Sequence, residues 1–114
     1  MPASLAEITR ESLWRRLQLD EELVLVDALS PMSYARSHLP GAISIPPQWG
    51  EEWVRRRIPD RDTEIVVYCA NSTCDSSVIV ARQLADLGYR NIKHYAGGKE
   101  DWTEAGLPLE GGAA

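Results

Sequence analysis

The apolar run Ile65-Val66-Val67-Tyr68 leads straight into Cys69-Ala70-Asn71-Ser72-Thr73-Cys74-Asp75-Ser76, and a helical spacing of apolar residues follows as far as Gly88. No other stretch constrains the fold so much. Four β-prone residues without alternation, entered from the charged Arg61-Asp62-Thr63-Glu64, are too short for a helix and fit a strand buried on both faces. Val80, Leu84 and Leu87 then recur at helical spacing, with Asp75 or Ser76 placed to cap the first turn and Gly88 to supply a left-handed C-terminal residue. A strand that hands a cysteine to a loop opening a helix sets a nucleophile in an anion cradle, because free N–H groups and the helix dipole both favour negative charge there.

The flanking segments repeat the same alternation. Ile8 ends a short first strand, and Thr9 caps a helix with Leu13, Trp14 and Leu17 on one side and Glu11, Arg15 and Arg16 on the other. Leu23 to Asp27 reads as a second buried strand, and Ser30-Pro31 places an N-cap before a proline at the first helical position. Ala42 to Ile45, between Pro40-Gly41 and Pro46-Pro47, reads as a third strand. Gln48 to Arg57 is expected as a helix, with Trp49, Trp53 and Val54 inward and the pairs Glu51/Arg55 and Glu52/Arg56 outward. Ile92 to Tyr95 forms the last strand, and Lys99 to Ala105 a final helix stopped by Gly106. Strands alternating with helices at these intervals imply an α/β fold of three layers, a parallel sheet covered on both faces, with any site at the carboxyl ends of the strands.

At 114 residues the chain fits one domain over 1–114, and its small, glycine-rich end, 109–114, is expected to form a flexible tail. A net charge of −5, from 12 basic and 17 acidic residues, argues against nucleic acid or an anionic membrane as a partner. Charges among residues 1–20 exclude a secretory signal, and no apolar stretch approaches the ~18 residues of a membrane span, so the chain reads as cytoplasmic. Its two cysteines, Cys69 and Cys74, share one loop, which in that compartment suggests reactive or incidental thiols before a structural staple.

Three stretches together carry a family resemblance. Leu25-Val26-Asp27 through His38-Leu39-Pro40-Gly41-Ala42, the step from strand to Cys69, and Gly97-Gly98-Lys99-Glu100-Asp101-Trp102 resemble the successive signatures of the rhodanese-like domain, in order and spacing, over nearly the whole chain. The resemblance implies a five-stranded parallel sheet of order 1-5-4-2-3, helices on both faces, and an active-site cysteine at Cys69. It also implies a sulfurtransferase, in which Cys69 takes sulfane sulfur from a small donor, holds it as a persulfide and passes it to a thiol or protein acceptor. The thiolate is the working form, and loop N–H groups from Ala70 to Ser76 with the helix dipole are the means of stabilising it. No base, metal or cofactor is required, and the two displacements predict ping-pong kinetics.

The departures from that family bear on mechanism. Common single-domain members carry an arginine five residues after the cysteine, and the related cell-cycle phosphatases carry it six after; here Cys74 and Asp75 stand in those places. Without a loop cation, thiosulfate is expected to be a weak donor and phosphoryl transfer is disfavoured. Leu29 and Ser33 replace an arginine and a glutamate of the family's internal ion pair. Cys74 admits two readings: a resolving thiol that attacks the inner sulfur of a Cys69 persulfide, or a small residue packed under the loop. Asn71, Ser72 and Thr73 can bind donor or transferred sulfur, or only stabilise turns, and Asp75 reads better as an N-cap than as a participant in the chemistry.

The remaining polar residues fit framework roles. His38, His94 and the two cysteines lack paired zinc-ligand spacing. Arg55-Arg56-Arg57 reads as a solvated helix face, Trp102 as core, and Gly97-Gly98 as a tight turn beside the active loop. Three function classes follow: a persulfide-forming sulfurtransferase, a thiol-disulfide or sulfide-releasing reductase using Cys69 and Cys74, and a non-catalytic rhodanese-like binding module.

Overall fold

The computed structural model of the protein describes residues 6–47 and 50–111. Its elements alternate: β1 (Ala6–Glu7), α1 (Arg10–Gln18), β2 (Val24–Asp27), α2 (Pro31–Arg36), β3 (Ile43–Ser44), α3 (Glu51–Arg57), β4 (Glu64–Tyr68), α4 (Ser76–Asp86), β5 (Asn91–Tyr95) and α5 (Gly98–Glu104). The five strands form one sheet of order β1-β5-β4-β2-β3, and every pairing is parallel. This is the expected α/β architecture and the expected strand order.

Local chemistry accounts for the helix boundaries. Thr9 caps α1 by accepting from the Ser12 amide at 3.1 Å, and Ser30 caps α2 by accepting from the Ser33 amide at 3.2 Å, with Pro31 in the first turn. Gly88, at φ +100°, closes α4: its N–H donates to Ala85 O at 3.0 Å and the Tyr89 N–H donates to Leu84 O at 3.2 Å. The α3 ion pairs Glu51–Arg55 and Glu52–Arg56 form as the spacing predicts. Gln48 and Trp49, expected in that helix, lie outside the described residues, and α3 starts after Gly50.

The period-2 alternation of β4 divides the core in two. Ile65 and Val67 point to the face covered by Val54 of α3, by Ile58 just after it, and by Val80, Ala81 and Leu84 of α4. Val66 and Tyr68 point to the other face, where Leu13 of α1 and Trp102 of α5 pack. Trp102 is wholly buried, meets Trp14 edge-on at 5.7 Å and donates from Nε1 to Pro108 O at 2.8 Å, so it is core as expected. Within the segment expected as a tail, Leu109 packs against this face and Glu110 is bridged to His38 by two backbone hydrogen bonds of 2.9 and 2.8 Å. Residues 112–114 lie outside the described residues.

Candidate active site

Cys69 continues the alternation of β4, so its side chain follows Val67 onto the α4 face, and only 1% of the residue is exposed. Helix α5 holds the start of its loop. The first-turn amides of Lys99 and Glu100 donate to Cys69 O at 2.9 Å and Ala70 O at 2.8 Å, satisfying helix-end donors and fixing the loop at once. That approach requires Gly98: at φ +69°, any Cβ there would stand 2.5 Å from Cys69 O.

Two chemically different environments surround the two sulfurs. Cys69 Sγ lies 3.2 Å from Cys74 O, 3.9 Å from Asn71 O and 3.2 Å from Ser77 Oγ. Burial pushes its thiol above the ordinary value, and the neighbouring Cys74 sulfur adds to that, while the Ser77 hydroxyl and amide oppose it. The Cys74 sulfur is also partly desolvated, but it is faced by the Cys69 thiol, by the amides of Ala70 and Ser76 and by the Ser76 hydroxyl, and on balance its proton is held less tightly than usual. Both cysteines are free thiols.

Beside Cys69 Sγ, where a cradle of loop amides is expected, stand two carbonyl oxygens and the Ser77 hydroxyl. The Ser77 amide acts to lower the Cys69 thiol pKa, and the amides of Ala70 and Ser76 act to lower that of Cys74. Asp75 occupies the N-cap position of α4, yet its side chain makes no capping bond and its backbone sits at φ −104°, ψ 1°. Asn71 Oδ1 accepts from the Thr73 amide at 3.1 Å and the Thr73 hydroxyl at 2.8 Å, so these two side chains build a turn. Ser72, Thr73 and Asp75 are exposed on its outer side.

Ser77 and His94 were not singled out from the sequence as site residues. Ser77 is wholly buried on the inward stripe of α4, with Val80, Ala81 and Leu84. His94 shares a strand face with Ile92 and pairs in register with Val67. Their side chains meet at 2.7 Å between Ser77 Oγ and His94 Nε2. Two signals could have found them: extending the helical stripe back three residues from Val80, and counting two residues on from Ile92.

The remaining candidates fall outside this cluster. His38 stacks on Tyr34 with ring centroids 3.9 Å apart, and its Nδ1 lies 2.9 Å from Tyr34 O, as a framework residue. Trp53 is half-buried against the α4 face, beneath the Arg57 guanidinium at 4.8 Å. Among the described residues, no group of three or more His, Cys, Asp or Glu is placed to hold a metal, and no helix is long and apolar enough to cross a membrane. An open cleft of about 430 Å³ borders the loop at Ala70 and Asn71, with Leu29, Ser33 and Lys99 on its other walls. The Lys99 ammonium is bound to Ser37 O at 2.7 Å and Ser33 Oγ at 3.2 Å, so Ser33 receives a hydrogen bond where the family has an ion pair.

The model of the rhodanese-like domain matches residues 9–105, which contain every element except β1 together with the whole cysteine loop. The chain belongs to the rhodanese-like family. It is 33% identical over 107 residues to the thiosulfate sulfurtransferase GlpE of Haemophilus influenzae strain 86-028NP, covering 94% of this chain and 96% of that one. It is 37% identical over 106 residues to the HTH-type transcriptional regulator Rv0324 of Mycobacterium tuberculosis; the match covers 93% of this chain but spans only 45% of the regulator. Among solved structures, the BH2092 protein of Bacillus halodurans superposes with a TM-score of 0.86 at 28% identity, covering 93% of this chain and 77% of that one. The thiosulfate sulfurtransferase of Pseudomonas aeruginosa superposes with a TM-score of 0.78 at 27% identity, over 96% of this rhodanese-like chain and 21% of its own length.

Proposed function

We propose that this rhodanese-like chain is a sulfurtransferase in which Cys69 accepts sulfane sulfur, carries it as a persulfide and gives it to an external thiol. The observation that carries the reading is a free thiol at the carboxyl end of the central strand β4, beneath a loop whose turns are held by Asn71 and by α5. Relatives named sulfurtransferases, matched over nearly their full length, support it. In the first displacement the Cys69 thiolate attacks the sulfane sulfur of a donor, a bond forms between the two sulfurs, and the leaving group departs with the electron pair. In the second, an acceptor thiolate takes the outer sulfur and Cys69 regains its thiolate. Ala70, Asn71, Ser72, Thr73, Asp75 and Ser76 form the segment that the donor meets. Because Cys69 is 1% exposed, that segment must move aside for the donor to reach the sulfur.

No residue from 69 to 76 is cationic. A dianionic donor such as thiosulfate therefore lacks a counter-charge in the loop, and organic persulfides are the better donors. Mass mapping after exposure to an organic persulfide and to thiosulfate tests this. Added sulfur on Cys69, faster from the persulfide, is the expected result; an unmodified Cys69 with both donors overturns it.

A second reading has its own observation, the Cys74 sulfur facing Cys69 with its proton loosely held. The Cys74 thiolate attacks the inner sulfur of a Cys69 persulfide, hydrosulfide leaves with the bonding pair, and a Cys69–Cys74 disulfide remains for an external thiol to reduce. With Cys74→Ser, sulfide release is lost in this reading, while transfer to an external thiol survives if Cys69 works alone.

A further inference from the structure

The site presents a difficulty that the family resemblance leaves open. Cys69 must be a thiolate to accept sulfur, yet it is buried, its sulfur is ringed by the carbonyl oxygens of Cys74 and Asn71, and no loop cation favours the anion. What the sulfur does have is a hydroxyl at 3.2 Å, and that hydroxyl has an imidazole nitrogen at 2.7 Å. Both links fall within hydrogen-bond range, the sulfur link being short for its type.

We propose that Ser77 and His94 form a proton relay for Cys69, in which the thiol proton passes to Ser77 Oγ as the Ser77 hydroxyl proton passes to His94 Nε2. The inference rests on the proposed role of Cys69 as the sulfur-accepting thiol. Ser77 touches the reacting sulfur, and His94 acts through it as a positioning residue and proton store. Two protons move one bond each, leaving a Cys69 thiolate and a His94 imidazolium with net charge unchanged. Both hydrogen bonds reverse direction: imidazolium N–H then donates to Ser77 Oγ, and the Ser77 hydroxyl donates to the thiolate. The pair thus supplies, inside the fold, the positive charge that the loop lacks. When Cys69 attacks the donor, the departing group takes the electron pair and His94 can return the proton to it through solvent or the emptied site.

The surroundings of His94 suit it to begin neutral. Burial lowers its pKa below the ordinary histidine value, and Glu7 of β1, its partner in register, opposes that with a negative field. From β4 it meets Val67, which is apolar, and from α4 it meets Ser77, beyond which lies Cys69. A neutral imidazole with Nε2 unprotonated is what the Ser77 hydroxyl needs as an acceptor.

The test uses the full chain without any sulfur donor, so that failure of the relay and failure of the sulfurtransferase reading are distinguishable. Alkylation of Cys69 by iodoacetamide is followed against pH, with peptide mass mapping to separate Cys69 from Cys74, in the native chain, Ser77→Ala, His94→Gln and the double variant. The relay predicts that each single variant shifts the rise in rate to higher pH, lowering the neutral-pH rate about tenfold for each unit of thiol pKa, and that the double variant is no worse than either single one. Unchanged profiles in folded variants overturn it. Should the variants fail to fold, ¹⁵N NMR of His94 in the native chain decides: an unprotonated Nε2 at neutral pH is expected, and a neutral imidazole carrying its proton on Nε2 overturns the relay.

Discussion

Tyr68 and Cys69 are neighbours at the end of β4, yet their side chains open onto opposite faces of the sheet and anchor two polar chains of different character. On the α1/α5 face the Tyr68 hydroxyl donates to Asp27 Oδ2 at 2.7 Å and accepts from the Leu39 amide at 3.0 Å, while Asp27 Oδ1 accepts from the Leu29 amide at 2.8 Å. Burial raises the Asp27 carboxyl, and burial with the Asp27 charge drives the Tyr68 phenol far above its usual range, so the phenolic proton stays where it is. On the α4 face the chain runs from Cys69 through Ser77 to His94, and in the proposed relay its donors and acceptors exchange as two protons shift along it. On the proposed relay, the difference teaches that a buried polar chain serves structure or chemistry according to the titration range of its ends. Amide donors with fixed direction hold the first chain; a hydroxyl between two titratable groups leaves the second free to switch.

The largest expected effect lies on the α4 face. Cys69→Ser removes sulfur acceptance altogether while its melting temperature stays close to the native value, as donor assays and circular dichroism would record. Gly98→Ala comes next, at about 2–4 kcal/mol of stability, since it forces an alanine into the left-handed region and against Cys69 O; urea unfolding measures it. Tyr68→Phe costs about 1–3 kcal/mol by taking the donor from Asp27 Oδ2 and the acceptor from the Leu39 amide, and it leaves the pH profile of Cys69 alkylation unmoved. A shift of that profile in Tyr68→Phe would break the separation of the two chains.

The smallest effect sharpens the contrast from the far end of β4. Hydrogen bonds from Arg16, with help from Lys93 and against burial, hold the Glu64 carboxyl down at about 2. A folded value below the unfolded one stabilises the fold at pH above about 4.5, and the contribution is lost as pH falls towards 2. In Glu64→Gln the melting temperature at neutral pH should fall and the acid limb of its pH profile flatten, with thiol reactivity unaffected.

The fold was legible because its cues are local. The β4 run, the Thr9 and Ser30 caps, Pro31 and Gly88 each act within a few residues, and the strand order followed from the family resemblance. The site was legible only as far as Cys69 and its loop. Where an amide points depends on the loop's dihedral angles, so the division of Ala70, Ser76 and Ser77 between two sulfurs left no mark in the sequence. Asp75 looked like a cap by residue type, but capping needs an extended backbone that this turn does not adopt. Ser77 and His94 stand 17 residues apart, and the packing of α4 against β5 brings them together.

Intact-protein and peptide mass spectrometry after brief exposure to an organic persulfide tests the central assignment most directly. One added sulfur atom on Cys69, removed on adding an acceptor thiol and absent from Cys69→Ser, is the predicted result. Sulfur that appears on Cys74 alone, or a Cys69 that stays unmodified while the fold is intact, would contradict it.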